Sequence, residues 1–147
     1  MKILLQRVTQ ASVSIGGERI AQIGRGLVAL VGIAKGDRES DARYLAEKTA
    51  NLRIFPDKEG KLNLSLLNID GELLAVSQFT LLADTRKGRR PSFIQAALSD
   101  EAEELFKRFT EMAQATGLRV ETGRFQQHML VEIQNDGPVT IILDSKI

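Results

Sequence analysis

The run Leu27-Val28-Ala29-Leu30-Val31-Gly32-Ile33 constrains the fold more than any other stretch of the chain. It is apolar on both faces, so it has no side to offer to water. Such a run reads as a central strand covered above and below, which requires paired neighbours and packing layers. The chain can supply them. It has 147 residues, 43% of them hydrophobic, and a domain of this size typically buries ~68–70% of its unfolded surface. A single domain over residues 1–147 is expected, without linker, repeat or low-complexity segment.

The elements around that strand can be read from pattern. "ILLQRVTQASVSI", Gly16-Gly17, "ERIAQI", Gly24-Arg25-Gly26 and "LVALVGI" predict a β-meander, with the Gly-Gly pair providing the positive φ of a hairpin turn. A nucleotide loop at Gly24-x-Gly26 is excluded, because a strand follows and no third glycine is in register. Ala42, Leu45, Ala46, Thr49 and Ala50 are spaced for a helix over about 39–51, with Asp37, Ser40 and Asp41 as capping oxygens. "FPDKEGKLN" reads as a loop, and Leu73–Val76 as a buried strand. Ser99 and Asp100 are expected to cap a second helix to about Ala115, with Leu105, Phe106, Phe109, Met112 and Ala113 as its apolar stripe and Gly117 beyond its end. "LRVET", "HMLVEIQ" and "VTIILD" are strands. The order implies an α+β fold: a curved, largely antiparallel or mixed, barrel-like sheet with two main helices.

Charge and chemistry narrow the function. Net charge is +1, yet Arg86, Lys87, Arg89 and Arg90 fall within five residues, and without them the rest carries −3. The cluster suits a phosphate backbone; it equally suits a solvated loop. Cysteine is absent, so there is no thiolate nucleophile or ligand. The one histidine, His128, is expected on the strand face opposite Met129, Val131 and Ile133, poorly placed for a general base. No metal-binding spacing and no cofactor motif occur. No apolar run nears the ~20 residues of a membrane span, and the N-terminus lacks a signal-peptide core, so a soluble, cytoplasmic protein is expected.

Two stretches remain. Ser77-Gln78-Phe79-Thr80 ends a buried strand in three hydrogen-bonding side chains; these either satisfy backbone groups at a strand exit or form a site. Asn135-Asp136-Gly137-Pro138-Val139-Thr140 is composed of turn formers. A proline inside a strand region belongs at an edge, a strand start or a bulge. Here it marks either an ordinary turn or a backbone with a job.

Taken together, "SQFTL" at 77–81 and "NDGPVT" at 135–140 resemble the two signature motifs of the D-aminoacyl-tRNA deacylases. The likeness runs collinearly along the chain, through "MKILLQRVTQASVSI", "LVALVGI", "LRIFPD", "LLAVSQFTLLADTRKGRRPSF" and "TGRF". One departure is visible: the family's Phe-Gly-Ala-x-Met pattern is here Phe125-Gln126-Gln127-His128-Met129. The resemblance implies hydrolysis of the ester between a D-amino acid, or glycine, and the 3′ end of tRNA. It implies a homodimer with its site at the subunit interface, into which a cis Gly137-Pro138 step of one copy reaches. Asn135 and Thr140 would flank that step, and Arg86, Lys87, Arg89 and Arg90 would grip acceptor-end phosphates. Among Ser77, Gln78, Phe79 and Thr80, the threonine is the candidate nucleophile, yet no base is in reach. The substrate's own 2′-hydroxyl lies beside the ester at high effective molarity. Substrate-assisted hydrolysis is therefore expected, with backbone N–H groups around Phe79 and Thr80 holding the oxyanion. Two other classes fit the residues less fully: a non-catalytic RNA-binding barrel, and a dimeric amidase or esterase for small D-amino acid derivatives.

Overall fold

The computed structural model describes residues 1–147. Its organising element is β1, Lys2–Ile15, which pairs along both edges. Gly16 and Gly17, at φ +57° and +82°, turn the chain back as a two-residue hairpin turn requires. β2 (Glu18–Ile23) and β3 (Gly26–Gly32) then both run antiparallel to β1, on its C-terminal and N-terminal halves respectively. The expected meander is thus corrected: β3 pairs with β1, not with β2. A 14-residue strand has room for both partners, and local sequence spacing does not reveal that.

Gly24-Arg25 is the break between them, and its glycines answer to crowding. A Cβ on Gly26 would lie 1.8 Å from the carbonyl oxygen of Glu72, and the Gly24 N–H donates to Glu72 Oε1 at 3.1 Å. Glu72 opens β6 (Glu72–Ser77), which runs parallel to β3. β7 (Arg119–Thr122) lies parallel on the far side of β6. Parallel neighbours need long crossovers, and the two helices supply them. α1 (Glu39–Asn51) lies between β3 and β6, α2 (Ser99–Ala115) between β6 and β7, and they pack on each other. The mixed sheet curls until β2 approaches β6 and β7, nearly closing a barrel.

The two-sided apolar run is now explained. Leu27, Ala29 and Val31 join the larger core beneath the helices, with Leu45, Phe106 and Phe109. Val28, with Leu30 packed beside it, faces the interior of the curl, with Val8, Val13, Leu74 and Val76. Residues 55–64, expected as loop, contain a small hairpin, β4 (Phe55–Pro56) with β5 (Leu62–Leu64).

Capping departs from expectation in part. Asp41 does accept the Arg38 N–H at 2.7 Å, but Ser40 lies within α1, and Asp37 accepts from the Met1 ammonium and the Ala34 N–H, both at 2.7 Å. Ser99 is the first residue of α2 rather than its cap, and Leu98 precedes it with no side-chain cap. Gly117 ends α2 as expected, at φ +104°.

The last strand, β8 (Leu130–Asp144), pairs with β1 throughout. Residues 130–134 of "HMLVEIQ" and all of "VTIILD" are therefore parts of one strand, and the turn between them does not exist. His128 precedes β8 and is exposed.

Candidate functional site

The strand continuity turns Gly137-Pro138 into a bulge. Gln6 pairs with Thr140 and Val8 with Asn135, so the single residue Arg7 faces four, Asp136 to Val139. Bulges re-aim backbone while the ladder continues on either side. This one is clamped at its base by the outer residues of its own motif. Asn135 Oδ1 accepts the Val139 N–H at 3.2 Å, and Asn135 Nδ2 donates to Thr140 Oγ1 at 2.9 Å, which also accepts from Gln6 Nε2 at 3.2 Å. The Gly137-Pro138 peptide bond is cis, and Gly137 has φ +125°. Both residues are exposed.

Arg7 supports the bulge from beneath, and sequence reading missed it. Its side chain is buried; Nη1 donates to the Ile54 carbonyl at 2.8 Å, and Nε to the Asp136 carbonyl at 3.2 Å. Nε also lies 3.3 Å from the Asp136 carboxylate. A Cβ on Gly137 would come within 3.1 Å of Arg7 Nη2 and 2.9 Å of Val139 Cγ2, so glycine is required by space as well as by φ. The available signal was an arginine in the middle of an apolar strand.

The second motif forms the other part. Ser77 closes β6, and Gln78 continues the ladder, its N–H donating to the Val31 carbonyl at 2.7 Å. Phe79–Leu82 then makes one 3₁₀ turn. Gly32 permits it: a Cβ there would meet Leu82 Cδ2 at 2.6 Å and Leu81 Cβ at 3.0 Å. Gln78 Nε2 donates to Thr80 Oγ1. The first N–H groups of any helical turn lack intrahelical partners, which leaves those of Phe79 and Thr80 free of the turn's own bonding.

A cleft of about 600 Å³ opens beside this turn, with Ser77, Gln78 and Phe79 in its wall. Its lining is mostly apolar, with Ile33, Val76, Ala102 and Met129 among it, and Gln126, Gln127 and His128 add polar groups to the wall. This corrects the expectation for His128: it borders the same cleft as Gln78, because its segment is loop rather than strand. Thr80 does not line the cleft, nor do Gly137 and Pro138. The two motifs therefore do not share this cleft within one chain. No group of three or more His, Asp or Glu side chains gathers as metal ligands do.

The basic loop follows. Asp84 and Ser92 exchange backbone hydrogen bonds at 2.8 and 2.9 Å and so close it. Arg86 folds back on Asp84 at the surface, with Nε at 2.9 Å and Nη2 at 2.7 Å from its carboxylate. That hydrogen-bonded guanidinium holds the Asp84 carboxyl down to about 2. Lys87, Arg89 and Arg90 are exposed and form no ion pair. Phe93, just past the loop, packs edge-on against Phe79, ring centroids 5.0 Å apart.

The sequence model of the D-Tyr-tRNA(Tyr) deacylase family matches residues 4–144. The chain belongs to this family. It is 56% identical to a D-aminoacyl-tRNA deacylase of Dehalococcoides mccartyi, over 99% of this chain and 95% of that protein. It is 55% identical to those of Symbiobacterium thermophilum and Bacillus licheniformis, over 99% of this chain and 97% and 99% of theirs. Among solved structures, a c-Myc DNA unwinding element binding protein superposes with TM-score 0.92 at 42% identity, over 98% of both chains. A probable eukaryotic D-amino acid tRNA deacylase shares the fold, with TM-score 0.83 at 18% identity over 97% of both. The expected α+β deacylase fold is borne out.

Proposed function

We propose that the chain releases D-amino acids and glycine from the 3′ end of tRNA and judges handedness with the Gly137-Pro138 backbone. The activity class rests on the family: the chain is a D-aminoacyl-tRNA deacylase, a carboxylic ester hydrolase. The observation that carries the gate is the bulge itself. Backbone clamped by Arg7, Asn135 and Thr140 cannot step aside as a side chain can, so its carbonyls can meet the α-amino group and crowd an L side chain by clash. Glycine has nothing to clash, so a steric filter accepts it.

Cleavage takes place at the Ser77–Thr80 turn. Thr80 is held by Gln78 and lies outside the cleft, which supports a scaffolding role over a nucleophilic one. The ester is then attacked with help from the substrate's 2′-hydroxyl, and the N–H groups of Phe79 and Thr80 stabilise the oxyanion. Lys87, Arg89 and Arg90 grip acceptor-end phosphates without reading sequence, while Arg86 keeps their loop in shape.

The working unit is a homodimer in which the gate of one copy completes the cleft of the other. Two features support this. The gate is exposed and absent from its own cleft. β8 pairs only with β1, and its outward residues include the exposed Leu130 and Ile142, an edge suited to another copy. No helix is long and apolar enough to cross a membrane, and a cytoplasmic location suits a tRNA substrate.

Parallel hydrolysis of D-aminoacyl-tRNA and of the matching free D-amino acid ester tests the reading. The tRNA ester is expected to turn over far faster. Equal rates would make the chain a small-molecule esterase, and binding without turnover would make it an RNA-binding barrel.

A further inference from the structure

The segment Gly123–Met129 forms a strap, of which Phe125 to Met129 line the cleft. Its ends are fixed. The Gly123 N–H donates to the Ala75 carbonyl at 3.3 Å, and Met129 packs into the inner core, its Sδ so near Gly123 that a Cβ there would lie 2.5 Å away. Phe125 packs against the core beneath the helices. The middle of the strap is exposed at Gln126, Gln127 and His128 and lines the same cleft as Ser77 and Gln78.

One bond ties this middle down. Gln126 Nε2 donates to Ser99 Oγ at 2.7 Å, across to the first residue of α2, which lines the same cleft. Gln126 has φ +60°, and apart from Asp70 it is the only non-glycine residue with positive φ. Glycine takes that backbone freely, whereas a glutamine is disfavoured there. A glutamine in this conformation is explained by what its side chain reaches. Ser99, which sequence reading assigns to capping, is free to accept because it does not cap α2.

We infer that Gln126 and Ser99 form a tether that holds the cleft wall at its working width, making Gln126 a positioning residue for the aminoacyl end of tRNA. This rests on the deacylase reading above and adds to it a determinant of substrate affinity in this chain. The tether touches no reacting group in this account, so it acts on binding rather than on the chemical step. Losing it lets the strap move outward between its fixed ends, and the substrate must then spend binding energy to order it.

The test is steady-state kinetics on D-aminoacyl-tRNA with Ser99→Ala, Gln126→Gly, the double variant and Ser99→Thr. Gln126→Gly keeps and eases the backbone while deleting the tether, so folding is not at risk. Loss of one hydrogen bond predicts a KM raised about three- to tenfold, with kcat unchanged. The double variant is expected to be no worse than either single, since both cut the same bond. Ser99→Thr keeps the hydroxyl and is expected to retain the wild-type KM. Unchanged KM in either single variant, additive effects in the double, or equal losses in kcat and kcat/KM would overturn the tether. A wild-type protein with no turnover would instead overturn the deacylase reading, and the tether with it.

Discussion

Replacing Arg7 with methionine keeps the apolar stem and removes the guanidinium that supports the bulge proposed as the gate. The buried bond to the Ile54 carbonyl is charge-assisted, a class worth roughly 1.5–3 kcal/mol. The bond to the Asp136 carbonyl is longer and only part-buried, so it adds about 1 kcal/mol. The Asp136 carboxylate is 46% exposed, and its ion pair contributes about 0–1 kcal/mol after solvent screening. The sum is about 2.5–5 kcal/mol, or a melting temperature lower by roughly 5–20 °C for a chain of this length. The protein should still fold, because the variant buries no new polar group. With its support gone, the bulge between Asp136 and Val139 gains freedom, and the filter against L side chains weakens. The assay is deacylation of matched D- and L-aminoacyl-tRNA beside thermal melting. The D-over-L ratio of kcat/KM is expected to fall about tenfold or more, about 1.4 kcal/mol of the lost support. A variant that melts earlier as described yet keeps the full ratio would refute the claim that Arg7 holds the gate.

Other perturbations separate the remaining parts. Gly137→Ala adds a Cβ within 3.1 Å of Arg7 Nη2 at a positive φ, a strain of about 1–3 kcal/mol; melting should fall accordingly and D-aminoacyl-tRNA turnover should fall with it. Thr80→Ala should retain substantial turnover, while a tRNA ending in 2′-deoxyadenosine should lose roughly a hundredfold or more; the reverse pattern would restore Thr80 as nucleophile. Lys87, Arg89 and Arg90 to alanine should reduce the slope of log affinity against log salt by about 2–3, whereas Arg86→Ala, whose partner is Asp84, should change it least. Burial pushes the Asp41 carboxyl up, but hydrogen bonds from Ser145, the Arg38 N–H and Lys146 outweigh it and bring it down to about 2. A carboxyl lowered on folding stabilises above its ordinary ~3.9 and ceases to as pH falls towards 2. The melting gap between wild type and Asp41→Asn should therefore be full at pH 7 and close near pH 2.

Local pattern carried much of this fold. The two-sided run at 27–33 demanded layers above and below, and both exist. The helical spacing of Ala42 to Ala50 and of Leu105 to Ala113 located both helices, because amphipathic stripes are properties of single segments. Pairing was less legible. That β3 returns to β1 depends on the length of β1, and that it runs beside β6 depends on the close approach of Gly26 to Glu72; neither is a local property. The same holds for residues 135–140. Every residue there favours a turn, and the long ladder with β1 overrode that preference and made a bulge. Of the site, Ser77-Gln78-Phe79-Thr80 was visible as a polar strand exit. Arg7 was not, since a lone arginine in a strand is usually at the surface, and this one is buried by the bulge it supports. His128 was misplaced for the corresponding reason: alternation was extended past the point where the strand begins.

In the mechanism proposed above, the chain spares one hand of aminoacyl-tRNA by clash with fixed backbone. Single-turnover deacylation of the same tRNA carrying D-tyrosine, glycine or L-tyrosine tests it most directly. Fast release of D-tyrosine and glycine is expected, with L-tyrosine left intact. Release of L-tyrosine at the D-tyrosine rate, or protection of glycine alongside L-tyrosine, would contradict it.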